Sequence, residues 1–248
     1  MELKRCLLLA ILVPSLPAAA IERGEAAGGR EEGAAATSFK FTPTYYRTTN
    51  EGPAYDLNLR ANRQTQTGWI GFYRRGEEFQ QLRLGYEHAL ELAGGRLVPS
   101  VQYASRGFLG ASATAEIGER HFALAGLGRT NLKDYFNLNF DPNDSVLLGA
   151  GTRGLARSVL TLYQIKDDRL GTGQHVTHFV LRTSPDASTR WAVDVFTKAG
   201  RTADGEWVRG TGATLTYDFG RYFARIAHDP YVNFTPERML RLALGGRF

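Results

Sequence analysis

Beyond residue 38, polar and apolar residues alternate with period two along most of the chain, which sends successive side chains to opposite faces of an extended backbone. Tyr55 to Asn62 is the clearest run: Tyr55, Leu57, Leu59 and Ala61 share one face, and Asp56, Asn58, Arg60 and Asn62 share the other. A helix would scatter that division around its circumference. Gln81 to Glu87 repeats it, with Leu82, Leu84 and Tyr86 set against Gln81, Arg83 and Glu87. Comparable runs occupy Leu109 to Ile117, Tyr135 to Phe140, Ala213 to Phe219 and Leu240 to Phe248. The pattern predicts an all-β chain of about fifteen candidate strands with almost no helix between them.

A soluble antiparallel sandwich alternates in the same way, so a membrane location rests on further features. The candidate strands recur about every 12 to 18 residues, which suits an up-and-down meander that closes on itself. Aromatic residues mark many predicted strand ends, at Tyr45, Tyr46, Tyr73, Tyr103, Trp191, Tyr217 and Tyr222, where they can form girdles at the two membrane surfaces. The chain also ends in a strand whose last residue is Phe248.

That ending, Leu240-Arg241-Leu242-Ala243-Leu244-Gly245-Gly246-Arg247-Phe248, resembles the C-terminal signature of bacterial outer-membrane barrels, a terminal Phe preceded by apolar residues at alternate positions. Leu240, Leu242 and Leu244 fit it, whereas Gly246 stands where a larger apolar residue is usual. The resemblance implies the outer membrane of a Gram-negative bacterium, contact with its lipid and lipopolysaccharide, and recognition of the Phe248 end by the barrel-assembly machinery. The fold expected is a closed antiparallel up-and-down transmembrane β-barrel of about 12 to 14 strands, because a single bacterial chain with both termini inside closes on an even number. Fifteen strands is therefore one too many. Such barrels have short periplasmic turns and longer outer loops. With Phe248 at the periplasmic end, Pro230 to Glu237 becomes an outer loop, the turn near Gly220 inner, Gly200 to Glu206 outer, Ser184 to Thr189 inner and Asp167 to Gln174 outer.

Composition sets the limits around this domain. Residues 1–20 read as a secretory signal: Lys4 and Arg5, an apolar run from Cys6 to Val13, and Ala18-Ala19-Ala20 as the cleavage site. Residues 21–37, rich in Ala, Gly, Glu and Arg, read as a flexible periplasmic leader, and every aromatic residue lies in the barrel region 38–248. Cys6 is the one cysteine, so after cleavage no disulfide, thiolate metal site or cysteine nucleophile is available. Loss of the signal lowers the formal charge from +5 to +4, without the clustered excess of a nucleic-acid binder. No apolar run is long enough for a membrane helix, and the mean hydropathy of -0.29 is what alternating strands average to.

Directing the Leu/Tyr face to lipid leaves a lumen lined by Asp56, Asn58, Arg60, Asn62, Gln81, Arg83, Glu87, Asn137, Asn139, Asp194, Lys198, Asp218, Arg225, Arg241 and Arg247. These side chains either pair with one another to fill a narrow barrel or form a small, slightly cationic pore for anionic or neutral solutes. Arg169 and Arg201 in outer loops have the planar fork that holds phosphate bidentately, as on lipopolysaccharide. Tyr231 and Phe234, between Pro230 and Pro236, suggest a lid over the mouth. Three functional classes stay open: a channel or structural envelope protein, a lipid-modifying hydrolase, and an accessory barrel of a polysaccharide system. For the hydrolase, a strand Ser with a His two residues away on the same face is the pattern sought; only His175-Val176-Thr177 approaches it. His175 and His178 are three apart and so lie on opposite faces, which argues against a metal. Asp141-Pro142-Asn143-Asp144 offers oxygen ligands but lacks the glycine and distal glutamate of a calcium loop, and reads as a turn. No cofactor is expected.

Overall fold

The computed structural model describes residues 36–133, 135 and 144–248. The expected signal, most of the leader, the run Tyr135 to Phe140 apart from Tyr135, and Asp141 to Asn143 lie outside the described residues. The strands are β1 (Ser38–Thr48), β2 (Ala54–Arg63), β3 (Gln66–Arg75), β4 (Phe79–His88), β5 (Leu90–Leu92), β6 (Gly95–Ala104), β7 (Phe108–Ile117) and β8 (His121–Thr130). They continue as β9 (Ser145–Leu155), β10 (Ser158–Asp167), β11 (His175–Thr183), β12 (Thr189–Arg201), β13 (Trp207–Phe219), β14 (Tyr222–Asp229) and β15 (Met239–Arg247). Each pairs antiparallel with its sequence neighbours, except that β4 and β5 pair not with each other but both with β6, and β1 pairs with β15 from Lys40↔Arg247 to Thr48↔Met239, closing the sheet.

Fifteen segments make fourteen staves because β4 and β5 both run along β6, from Arg83↔Ala104 to Glu87↔Ser100 and again from Leu90↔Leu97 to Leu92↔Gly95. The register between them puts Pro99 opposite His88. Proline has no N–H to donate to the ladder, so pairing lapses there and resumes two residues on. The odd strand count read from the sequence thus resolves into an even, closed barrel of fourteen.

The end that holds both termini has tight connections, such as 64–65, 156–157 and 220–221, and the opposite end has the long ones, 131–144, 168–174 and 230–238. Outer-membrane barrels place the short turns inside, which defines an inner and an outer end. The apolar face of the strands is turned outward, with Leu57, Ile70, Leu84, Leu148, Leu162 and Leu242 all exposed. Aromatic contacts bind the inner rim: Trp191 meets Tyr217 at 4.2 Å, and Phe219 meets Tyr222 at 6.1 Å. At the seam Phe248 stacks on Phe39 at 5.8 Å, and their backbones exchange hydrogen bonds of 2.7 and 2.9 Å. Gly246 stands opposite Tyr222 in register, and a Cβ there would meet the Tyr222 ring at an ordinary 3.6 Å, so the packing does not explain the glycine.

Two of the expected girdle residues are corrected. Tyr46 and Tyr73 point inward and are 1% and 2% exposed. Tyr46 follows outward Tyr45, so alternation turns it to the lumen, and Tyr73 stands opposite inward Asp56 on the neighbouring strand.

Candidate functional site: the lumen and its outer mouth

The last outer loop does not stay outside the barrel. Residues Val232–Phe234 form a single 3-10 turn, and Val232 and Phe234 drop into the mouth to pack with Tyr46, Tyr73, Val176, Phe196, Val208 and Met239. Asn233 and Phe234 adopt φ of 51° and 55°, a left-handed conformation rare for non-glycine residues, and the packing of Phe234, 1% exposed, holds it. Below the turn, the fully buried Lys198 ammonium donates to Asp229 at 2.7 Å and to the Tyr231 carbonyl at 3.0 Å. Phe196 and Phe234 flank the ammonium at 5.7 and 5.2 Å. Across the mouth Tyr135 packs on Phe108 at 4.5 Å and accepts a hydrogen bond from Arg83. Its burial pushes the phenol up to about 12, against the pull of Arg83. Val232 and Phe234 on one side and Tyr135 on the other therefore narrow the outer entrance.

The polar residues read from the sequence lie on the inward wall. Arg83 and Asp56 form a buried ion pair, with Asn58 and Arg83 converging over Gly71 and Gln81 buried close by. Arg60 pairs with Glu87 at 3.3 Å, and Asn62 accepts from Thr67 at 3.1 Å. Asp194 takes His178 at 3.0 Å, and Asp218 takes Arg247 at 2.8 Å. Arg241 is buried, and Arg225 donates through Nε to Thr216 at 2.9 Å. Asn137 and Asn139 lie outside the described residues.

Register shows a feature that strand-by-strand reading missed. Lys40 lies directly opposite Arg60 on one side and Arg247 on the other. Three cations thus stand in a row across β2, β1 and β15 near the inner end, with Arg225 on β14 two repeats of the pleat further out, level with Ala243, and Arg241 on β15 three repeats out. Phe223 lies flat at the base of this row, with Lys40 at 4.3 Å and Arg247 at 5.3 Å from its ring. It can lie flat because Gly245 is its neighbour: a Cβ there would come within 2.4 Å of the ring. Lys40 was not among the sequence candidates because its strand begins at the edge of the low-complexity leader and has only one charge on that face.

The opposite side of the ring is different. β8 to β11 turn Phe122, Leu124, Leu147, Tyr163, Ile165 and Val180 inward as a buried apolar cluster, so the lumen is not polar all round. The signal was present in runs such as Val146-Leu147-Leu148 and Phe179-Val180-Leu181, which are apolar on both faces and belong to strands buried on both sides. Toward the inner end the barrel opens into a cavity of about 760 Å³ among the inner turns, its lining including Glu91, Glu116, Arg153, Arg157, Asp186 and Arg190.

Of the outer-loop candidates, Arg169 is committed to Asp144, donating at 2.6 Å, and to the Thr130 carbonyl at 2.8 Å. Arg201 is exposed and donates to the Gly205 carbonyl at 3.3 Å. Tyr231 is half-buried, and Phe234 is inside the mouth. His175 contacts the Gly173 carbonyl at 2.9 Å through Nδ1, whereas His178, on the other face, stacks on Tyr163 at 4.7 Å. No cluster of three metal-ligating side chains occurs among the described residues.

No protein-family model and no curated protein matches the sequence. Similarity is found among solved structures. The outer membrane protein Omp33 of Acinetobacter baumannii aligns over 87% of this chain and all of its own, with a TM-score of 0.59 at 8% identity. A mutant porin of Rh. blastica aligns over 86% of this chain and 99% of its own, with a TM-score of 0.49 at 9% identity. At such identities the resemblance is one of architecture: the chain has the fold of an outer-membrane β-barrel.

Proposed function

We propose that the protein is a narrow outer-membrane channel for small anionic solutes, its passive flow set by lumen width and wall charge. The observation that carries this reading is the row Arg60–Lys40–Arg247 on the inward wall. Like charges placed directly opposite one another weaken strand pairing, so a wall kept only for stability would alternate its signs there. The charge instead favours anions over cations inside a low-dielectric wall. The infolded last outer loop and the buried Tyr135 support a small conductance. The export signal read in residues 1–20, the outward apolar face and the terminal Phe248 support delivery to the outer membrane, insertion by the barrel-assembly machinery, and a surround of lipid and lipopolysaccharide.

The test is single-channel recording of the refolded chain in a planar bilayer with a potassium chloride gradient. Discrete steps whose reversal potential indicates chloride preference are expected, and Lys40→Glu should shift that potential toward cation preference. A silent barrel, or one that prefers potassium, would overturn the channel reading and favour a structural role in the envelope.

A further inference from the structure

The cationic arc contains more charge than it neutralises, and the surplus lies at particular residues. Arg60 has Glu87 and Arg247 has Asp218. Lys40 has no carboxylate partner among the described residues; its ammonium rests on the Phe223 ring, with Arg225, Arg247 and Arg60 as the cations within electrostatic reach and Asp218 as the anion. Arg225 spends only its Nε, on Thr216, so the two terminal nitrogens of its fork remain open, and its neighbours in charge are Arg241, Arg60 and Asp218. Phe223 fixes two of the cations on one ring, so little side-chain freedom remains to be lost when an anion arrives.

We infer that Lys40, Arg225 and Arg247, arranged around Phe223, form a saturable binding site for a polyvalent oxyanion, a solute carrying two or more carboxylate or phosphate groups. Strands are about 4.8 Å apart, so the row from Arg60 to Arg247 spans about 10 Å. One monovalent anion answers one of these charges. A di- or tricarboxylate, or a phosphoanhydride, answers several at once and presents paired oxygens to the planar fork of arginine. The inference deepens the anion-channel reading, naming the class of solute that its wall selects, but binding does not itself require an open pore.

The test is isothermal titration of the refolded barrel in detergent micelles with citrate, pyrophosphate and acetate at matched ionic strength. Saturable binding of citrate and pyrophosphate is expected, with none for acetate. Lys40→Gln and Arg225→Gln should each weaken citrate by about tenfold, the worth of one charge-assisted contact, while Arg157→Gln at an inner turn should leave it unchanged. Urea midpoints provide the second readout. Both lumen variants should be at least as stable as the parent without ligand, because each relieves like-charge repulsion, and a fixed citrate concentration should raise the parent's midpoint by more than theirs. Equal binding of citrate and acetate, or citrate binding indifferent to both substitutions, would overturn the site. A silent barrel that still binds citrate would overturn the channel and leave the site standing.

Discussion

The ion pair beneath the last outer loop offers the sharpest test of how the mouth is held. Replacing Lys198 by methionine keeps the bulk of the side chain and leaves the fully buried Asp229 carboxylate without its cation. Removing one partner of a buried pair costs about 3 to 5 kcal/mol, because the remaining charge stays out of water. The loop can escape that cost by swinging outward and hydrating Asp229, at the expense of re-exposing Val232 and Phe234. Their burial is worth about 1.5 to 3 kcal/mol each, so the two alternatives are of similar size and the open loop becomes a substantial population. The fourteen staves are untouched by the movement. Single-channel recording should show larger or flickering conductance for Lys198→Met, and trypsin added to the outer side should cut at the exposed Arg238 once its backbone, bonded to Thr49 in the seated loop, is released. The double variant Lys198→Met/Asp229→Leu substitutes apolar contact for the pair and should return both measurements to the parent's, since well-packed apolar replacements of buried pairs are commonly neutral or stabilising. Unchanged conductance and protease resistance in the single variant, or a double variant as open as the single, would refute the latch.

Two more expectations follow from other parts of the barrel. At Gly85 a Cβ would lie 2.3 to 2.4 Å from three atoms of the Trp69 indole, so Gly85→Ala must push the ring off the wall and into the lumen. Overpacking of this kind costs about 1 to 3 kcal/mol; a lower urea midpoint, a smaller conductance and, with Trp191 and Trp207 replaced by Phe, a shifted Trp69 emission should appear together, and unchanged emission would count against the flat ring. At the outer rim Glu237 accepts hydrogen bonds from the Thr49 hydroxyl at 2.5 Å and from the Asn50 backbone and side-chain N–H groups at 2.9 and 2.7 Å. The Thr49 contact, with those of Asn50, holds its carboxyl below the usual carboxylate range. A depressed folded-state value means the clamp contributes above the ordinary carboxylate pKa of about 4.3 and is lost as pH falls through the lower one. Channel opening measured from pH 7 down to 3 should therefore rise only at the acidic end, and Glu237→Gln should flatten that rise.

The sequence by itself determined the strand class and the sidedness of the strands. Alternation with period two is a property of neighbouring residues along one strand, so Tyr55 to Asn62 divides its faces before any partner is known. Tertiary structure decided everything that depends on which strands are neighbours. Closure of β1 on β15 brings Lys40, near the start of the barrel, beside Arg247, the penultimate residue, and no local pattern joins positions so far apart. Register placed Pro99 opposite His88 and thereby turned fifteen segments into fourteen staves. Packing carried Phe234 and Tyr135 from outer loops into the mouth, because a wide barrel end leaves apolar space that nearby loops can fill. It also let β8 to β11 bury apolar residues on their inward side, where alternation against a lipid face gives no information about whether the enclosed side is wet or dry.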